Sequence, residues 1–146
     1  MSKWQEKFSQ KLGRVRIAAR DQFERAIERS VAPVFEEFRE FTTQQGFCAT
    51  VPVAKNGIRT FKFAMTENAY LLINFRVAGF EHCETQAELF VPGKDKEVST
   101  PAHVELGEMD SNWTCRVFER TLDHFVDEFV ESLNKVEESA TAMAGA

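Results

Sequence analysis

Residues 47–106 read FCATVPVAKNGIRTFKFAMTENAYLLINFRVAGFEHCETQAELFVPGKDKEVSTPAHVEL, and their apolar residues fall on alternate positions. Phe61, Phe63 and Met65 alternate with Thr60, Lys62 and Ala64. Leu71, Ile73, Phe75 and Val77 alternate with Leu72, Asn74 and Arg76. Successive side chains of a strand point to opposite faces, so a period of two with one apolar face predicts an antiparallel sheet covered on one side.

The turns divide the stretch into five strands. The first lies near Phe47–Val53, with Phe47, Ala49, Val51 and Val53 on one face; Pro52 within it marks an edge. Lys55-Asn56-Gly57 links it to a second strand starting near Ile58. Asn-Gly favours a two-residue hairpin, but that loop pairs odd positions with even ones and splits the apolar faces. A three-residue loop keeps odd with odd and is the expected connection. Glu67-Asn68 turns the chain into the third strand at Ala69. Ala78-Gly79-Phe80 turns it into the fourth, near Glu81–Val91, with Cys83, Ala87, Leu89 and Val91 inward. Residues 92–96, a loop of turn-formers and charges, lead to a fifth strand near Ala102–Leu106.

The flanks carry a helical period. Trp4, Phe8, Leu12, Val15, Ala19, Phe23 and Ala26 recur at steps of four, four and three, an eleven-residue repeat that keeps one stripe on a nearly straight helix. Pro33 predicts a kink or a second helix starting there, because it lacks an N–H and clashes with the carbonyl of Arg29. Val34, Phe35, Phe38 and Phe41 resume the pattern, and Gly46 ends it. A helix of about 30 residues spans about 45 Å, against about 30 Å for a nine-residue strand. The first helix therefore overhangs the sheet, and Trp4, Phe8 and Leu12 are the expected contact with a second copy of the chain. After the caps Asp110, Ser111 and Asn112, a last helix carries Phe118, Leu122, Phe125, Val126, Phe129, Val130, Leu133 and Val136. Residues 1–138 are expected to form one α+β domain with both helices on one sheet face, and 139–146 a disordered tail.

Composition narrows the classes. A chain of 146 residues suits one domain. Its net charge of −5 argues against general affinity for nucleic acid. Phe supplies 14 residues against one Tyr, which points to a large core or an interface. Cys48, Cys83 and Cys115 are odd in number and lack a Cys-x-x-Cys spacing, which suits reduced thiols in a cytoplasm. The charged start does not read as a signal peptide, and no apolar run is long enough to span a membrane.

Chemical motifs are missing. The sequence has no Gly-x-Ser-x-Gly, Gly-x-Gly-x-x-Gly, Walker lysine or His-Glu-x-x-His, so no catalytic residue, cofactor or metal is assigned. Cys83 points into the core by parity, where a thiol is inert. His82 and His103 share the uncovered face. A register aligning Ala87 with Val104 sets His103 against Glu88 and holds His82 roughly 20 Å away, too far to share a zinc ion.

The uncovered face itself is a candidate partner surface made of Tyr70, Asn74, Arg76, His82, Glu84 and Glu88. The pairs expected across it are Arg76 with His82, Asn74 with Glu84, and Tyr70 with Glu88. A solvated sheet face with ordinary cross-strand pairs is the plainer reading. The first helix is basic and the last acidic; this suits two helices that attract each other within the chain or across a dimer. A basic arm for nucleic acid or an anionic membrane is the sharper alternative.

The order of elements resembles that of small bacterial secretion chaperones, which are dimers with an open sheet; no motif carries the likeness. The leading expectation is a non-enzymatic homodimeric interaction module, an adaptor or chaperone-like protein. The alternatives are a small-molecule binding protein or enzyme with a pocket between sheet and helices, near Pro33, and a nucleic-acid binder.

Overall fold

A computed structural model describes residues 2–48 and 52–144, with 136–144 described by their backbone alone. Helix α1 (Lys3–Ala26) begins at a capping box, in which the Ser2 hydroxyl accepts from the Gln5 N–H and the Gln5 side chain accepts from the Ser2 N–H. The helix does not break at Pro33. A π-helical turn, Ile27–Val31, leads directly into α2 (Ala32–Gln44), with Pro33 in its first turn. The Ala32 N–H reaches back to the Ile27 carbonyl, five residues away. This wider turn absorbs the donor that Pro33 cannot supply. Ile27, Ser30 and Val31 of the turn are buried. Gly46, at φ +100°, closes α2, and the Phe47 N–H bonds the Thr42 carbonyl.

The sheet follows as an antiparallel meander. Its strands are β1 (Val53–Lys55), β2 (Ile58–Thr66), β3 (Ala69–Ala78) and β4 (His82–Phe90), followed by the short β5 (Glu97–Val98) and β6 (Ala102–Glu105). The strand expected near Ala102–Leu106 is β6; β5 is an additional short strand before it, and both pair with β4 along one edge, separated by Ser99-Thr100-Pro101. Pro101 cannot donate to the ladder, which accounts for the break. After a 3-10 turn, Leu106–Glu108, helix α3 (Ser111–Ala144) starts where the Asp110 carboxylate accepts from the Trp113 N–H at 2.8 Å. It continues through 139–144, the stretch whose composition suggests a tail.

Three pairings correct the sequence reading. The β1–β2 loop has two residues, with Lys55 opposite Ile58, Asn56 at φ +54° and Gly57 at φ +75°. Those dihedrals are the type I′ pair that Asn-Gly favours. The three-residue loop was expected because it keeps the apolar faces aligned, but β1 is exposed along its whole length, so little is lost by splitting them. Ala49 and Val51, expected in that first strand, lie outside the described residues.

The β3–β4 register is shifted by two from the expected one: Arg76 faces Glu84, Asn74 faces Gln86, Leu72 faces Glu88 and Tyr70 faces Phe90. A shift of two leaves every side chain on its face, so parity could not detect it. The third correction is that His103 faces Glu84, not Glu88. His82, opposite Glu105, is thus roughly 7 Å from His103 along the diagonal and not 20 Å away.

The odd positions of β2, β3 and β4 face the helices and form the core. Phe118 of α3 sits at its centre, with ring centroids 5.8 to 6.2 Å from those of Phe35, Phe61, Phe63 and Phe75. The C-terminal part of α1, the π turn, α2 and α3 all contribute buried residues to this one layer, so both ends of the chain cover the same sheet face. Among the described residues no helix is long and apolar enough to cross a membrane.

Candidate functional site

The even positions of the central strands face away from the helices and build a hydrogen-bonded surface. Arg76 on β3 meets Glu84 on β4 at 2.8 Å, and His103 on β6 lies 3.3 Å from the same carboxylate. The guanidinium, above all, holds the Glu84 carboxyl below the usual carboxylate range; burial opposes this and His103 adds to it. Thr60 donates to the Asn74 carbonyl oxygen at 2.7 Å, and the Asn74 amide donates to Glu88 at 2.9 Å. Lys96 reaches Glu88 from the β4–β5 loop at 3.2 Å. Thr60, Asn74, Arg76, Glu84 and Glu88 therefore each have a partner across a strand pair, which fixes this part of the face in one arrangement.

This surface is concave. A trough of about 690 Å3 runs over it, bounded by Val53, Ile58 and Lys55 at the β1–β2 side and by Glu84, Gln86 and Glu88 on β4. Four of the six expected surface residues, Asn74, Arg76, Glu84 and Glu88, line it together. Tyr70 and His82 do not. Tyr70 lies flat against Phe90, with centroids 4.4 Å apart, under the Lys62 ammonium 4.6 Å from its ring. His82 stands at the far end of β4, opposite Ala78. No element of the chain's described residues lines the trough from above, because the buried residues of α1, the π turn, α2 and α3 all pack on the other face.

The expected dimer residues are placed on the overhang. Residues 3–18 contribute nothing to the core, whose first residue is Ala19. Trp4 and Phe8 are 67% and 54% exposed, with ring centroids 6.4 Å apart; Leu12 is half-buried. Farther along α1, the Arg16 guanidinium lies 5.8 Å from the ring of Phe80, in the turn between β3 and β4. Among the described residues no ion pair joins the basic α1 to the acidic α3. Glu24 of α1 and Glu28 of the π turn pair instead with Arg59 of β2, and Glu128 and Glu131 of α3 with Lys94.

Two features escaped the sequence. Glu97, His124 and Glu128 bring one ligand atom each within 4.8 Å of one another, a grouping that needs β5 and α3 side by side. His124 is 2.9 Å from Glu97, while Lys94 sits 2.7 Å from Glu128 and neutralises it. The second is a cavity of about 310 Å3 between sheet and α3, where the split edge opens. It lies at β4 and α3, not at Pro33. The signal for it was Pro101 just before the last strand, which the alternation of Ala102, Val104 and Leu106 obscured.

No protein-family model matches this chain, and no curated protein or solved structure matches it.

Proposed function

We propose that this chain is a non-enzymatic, homodimeric protein-interaction module, adaptor or chaperone-like, that holds a segment of a partner protein in the trough on its sheet. The observation that carries this reading is the trough itself. It is open, lined by Asn74, Arg76, Glu84 and Glu88, and left uncovered by the described residues of the chain. Its mixed charges suit a polar or charged extended segment, and its cross-strand bonds hold the side chains in place beforehand, which lowers the ordering cost of binding. The free cysteines suit a cytoplasmic setting.

The dimer part rests on the overhang. Residues 3–18 form about 24 Å of helix with its apolar stripe in solvent. α3 exposes a second stripe, Val126, Val130 and Leu133, flanked by Asp123, Asp127 and Glu131. Lys3, Lys7, Lys11 and Arg14 on the overhang complement those acids. The α1 of one copy on the α3 of the other, made twice about a two-fold axis, covers both stripes.

Affinity capture from extract of the source cells, compared across three baits, tests both parts. Arg76→Glu with Asn74→Ala should lose a partner that the wild type retains, and Trp4→Ala with Phe8→Ala should sediment as a monomer. A partner set unchanged by the trough variant refutes the trough, and a wild type that sediments as a monomer refutes the dimer. Salt-dependent retention of RNA or DNA that disappears with Lys7→Glu and Lys11→Glu would favour the basic arm as a nucleic-acid binder instead.

A further inference from the structure

The cavity of about 310 Å3 at the split sheet edge lies on the opposite side of the sheet from the trough. Its inner wall is apolar: Ile73 and Leu89 from the sheet, Ala87 between them, and Val117 from α3, all buried. Its outer lining is polar and comes from two places. Arg120 and Thr121 follow Val117 along α3, one turn on, and His124 two turns on; Ser99 and Thr100 come from the break between β5 and β6. Most of these polar groups are already committed. Ser99 accepts from the Ala87 N–H at 2.8 Å, Thr121 donates to the Val117 carbonyl, and His124 holds Glu97 at 2.9 Å.

Arg120 differs. It is exposed, it lines the cavity, and among the described residues it makes no ion pair or hydrogen bond. Thr100 is likewise exposed with an uncommitted hydroxyl. One free guanidinium and one free hydroxyl at the opening of an apolar chamber select for a ligand with an anionic head and an apolar body. The volume is at the low end of ligand pockets, roughly 300–1,000 Å3, so the body is small. A planar guanidinium pairs with a carboxylate through two parallel hydrogen bonds. From this geometry we infer that the cavity is a binding site for a small monocarboxylate with an aliphatic tail. The tail lies on Ile73, Ala87, Leu89 and Val117, and the carboxylate meets Arg120 and Thr100.

Straight-chain carboxylates from acetate to hexanoate, added to the full chain and followed by amide chemical shifts, provide the test. Shifts should centre on residues 85–89, 99–102 and 117–124. Affinity should rise roughly fourfold for each methylene between propionate and hexanoate. Hexanamide, which lacks the charge, should bind at least about tenfold more weakly than hexanoate. Arg120→Gln should cause a similar loss, while Arg116→Gln, on an exposed part of α3 outside the cavity, should have no effect. Ala102→Phe, at an exposed lining position, should block the chamber and abolish the shifts without unfolding the chain. The inference is overturned if hexanoate leaves these residues unshifted, if hexanamide binds as well as hexanoate, or if Arg120→Gln binds like the wild type.

Discussion

The guanidinium of Arg59, on β2, lies 2.9 Å from the carboxylate of Glu28, on the π turn. Arg59 occupies an odd, helix-facing position of the strand, and its other terminal nitrogen holds Glu24 one turn earlier. Its side chain is 14% exposed and its Nε is buried with no partner. Burial works to lower the pKa of the group, but the bonds and charges of Glu28 and Glu24 outweigh it and raise the value. The pair ties β2 to the place where the long helix changes its winding.

Arg59→Ala should therefore destabilise the fold by about 1–2 kcal/mol. Hydrogen bonds to charged groups contribute about 1.5–3 kcal/mol, and exposure of the two acids discounts that. Arg59→Lys should recover only part, because one ammonium cannot span two carboxylates as the fork does. Urea midpoints of the three proteins measure this, and equal midpoints would show that the pair contributes nothing.

Glu84 makes stability depend on pH. Its folded-state pKa is depressed, so it contributes stability above the unfolded value, about 4.3. That contribution is lost as pH falls through the lower folded value. Stability should fall more steeply below about pH 4 in the wild type than in Arg76→Ala, which removes the main cause of the shift. A carboxyl-resolved NMR titration should show the Glu84 midpoint moving up toward the ordinary range in that variant.

Phe118 and Phe41 lie on helices and differ in burial. Phe118 is fully buried against the rings of Phe35, Phe61, Phe63 and Phe75, and Phe41 is 62% exposed on α2. Phe118→Ala should cost about 3–5 kcal/mol through lost burial and a cavity. Phe41→Ala should cost under about 0.5 kcal/mol. Calorimetric melting of both variants checks the contrast; a large loss at Phe41 would reveal a contact beyond this chain's own core.

The three thiols should react in order of access. Cys48 is exposed, Cys115 is half-buried, and Cys83 is fully buried, its thiol pushed up to about 12 chiefly by burial. Timed alkylation with mass spectrometry should label Cys48 first and leave Cys83 intact until denaturant is added. Early labelling of Cys83 would mean that β4 opens readily.

The sequence by itself determined which residues face the helices, because alternation along a strand and the spacing of a helical stripe are local properties of the chain. The buried residues Phe61, Phe63, Leu71, Ile73, Phe75, Cys83, Ala87 and Leu89 all obey it. So do the overhang of α1 and the polarity of the opposite face. Tertiary structure alone decided how far each strand slides along its neighbour. Sliding by two residues preserves every face, so Glu84 rather than His82 could come to rest against Arg76 with no trace in the pattern. It also decided the cavity and the grouping of Glu97 with His124. These depend on where the split edge meets α3, and that is fixed by long-range packing of residues far apart in sequence.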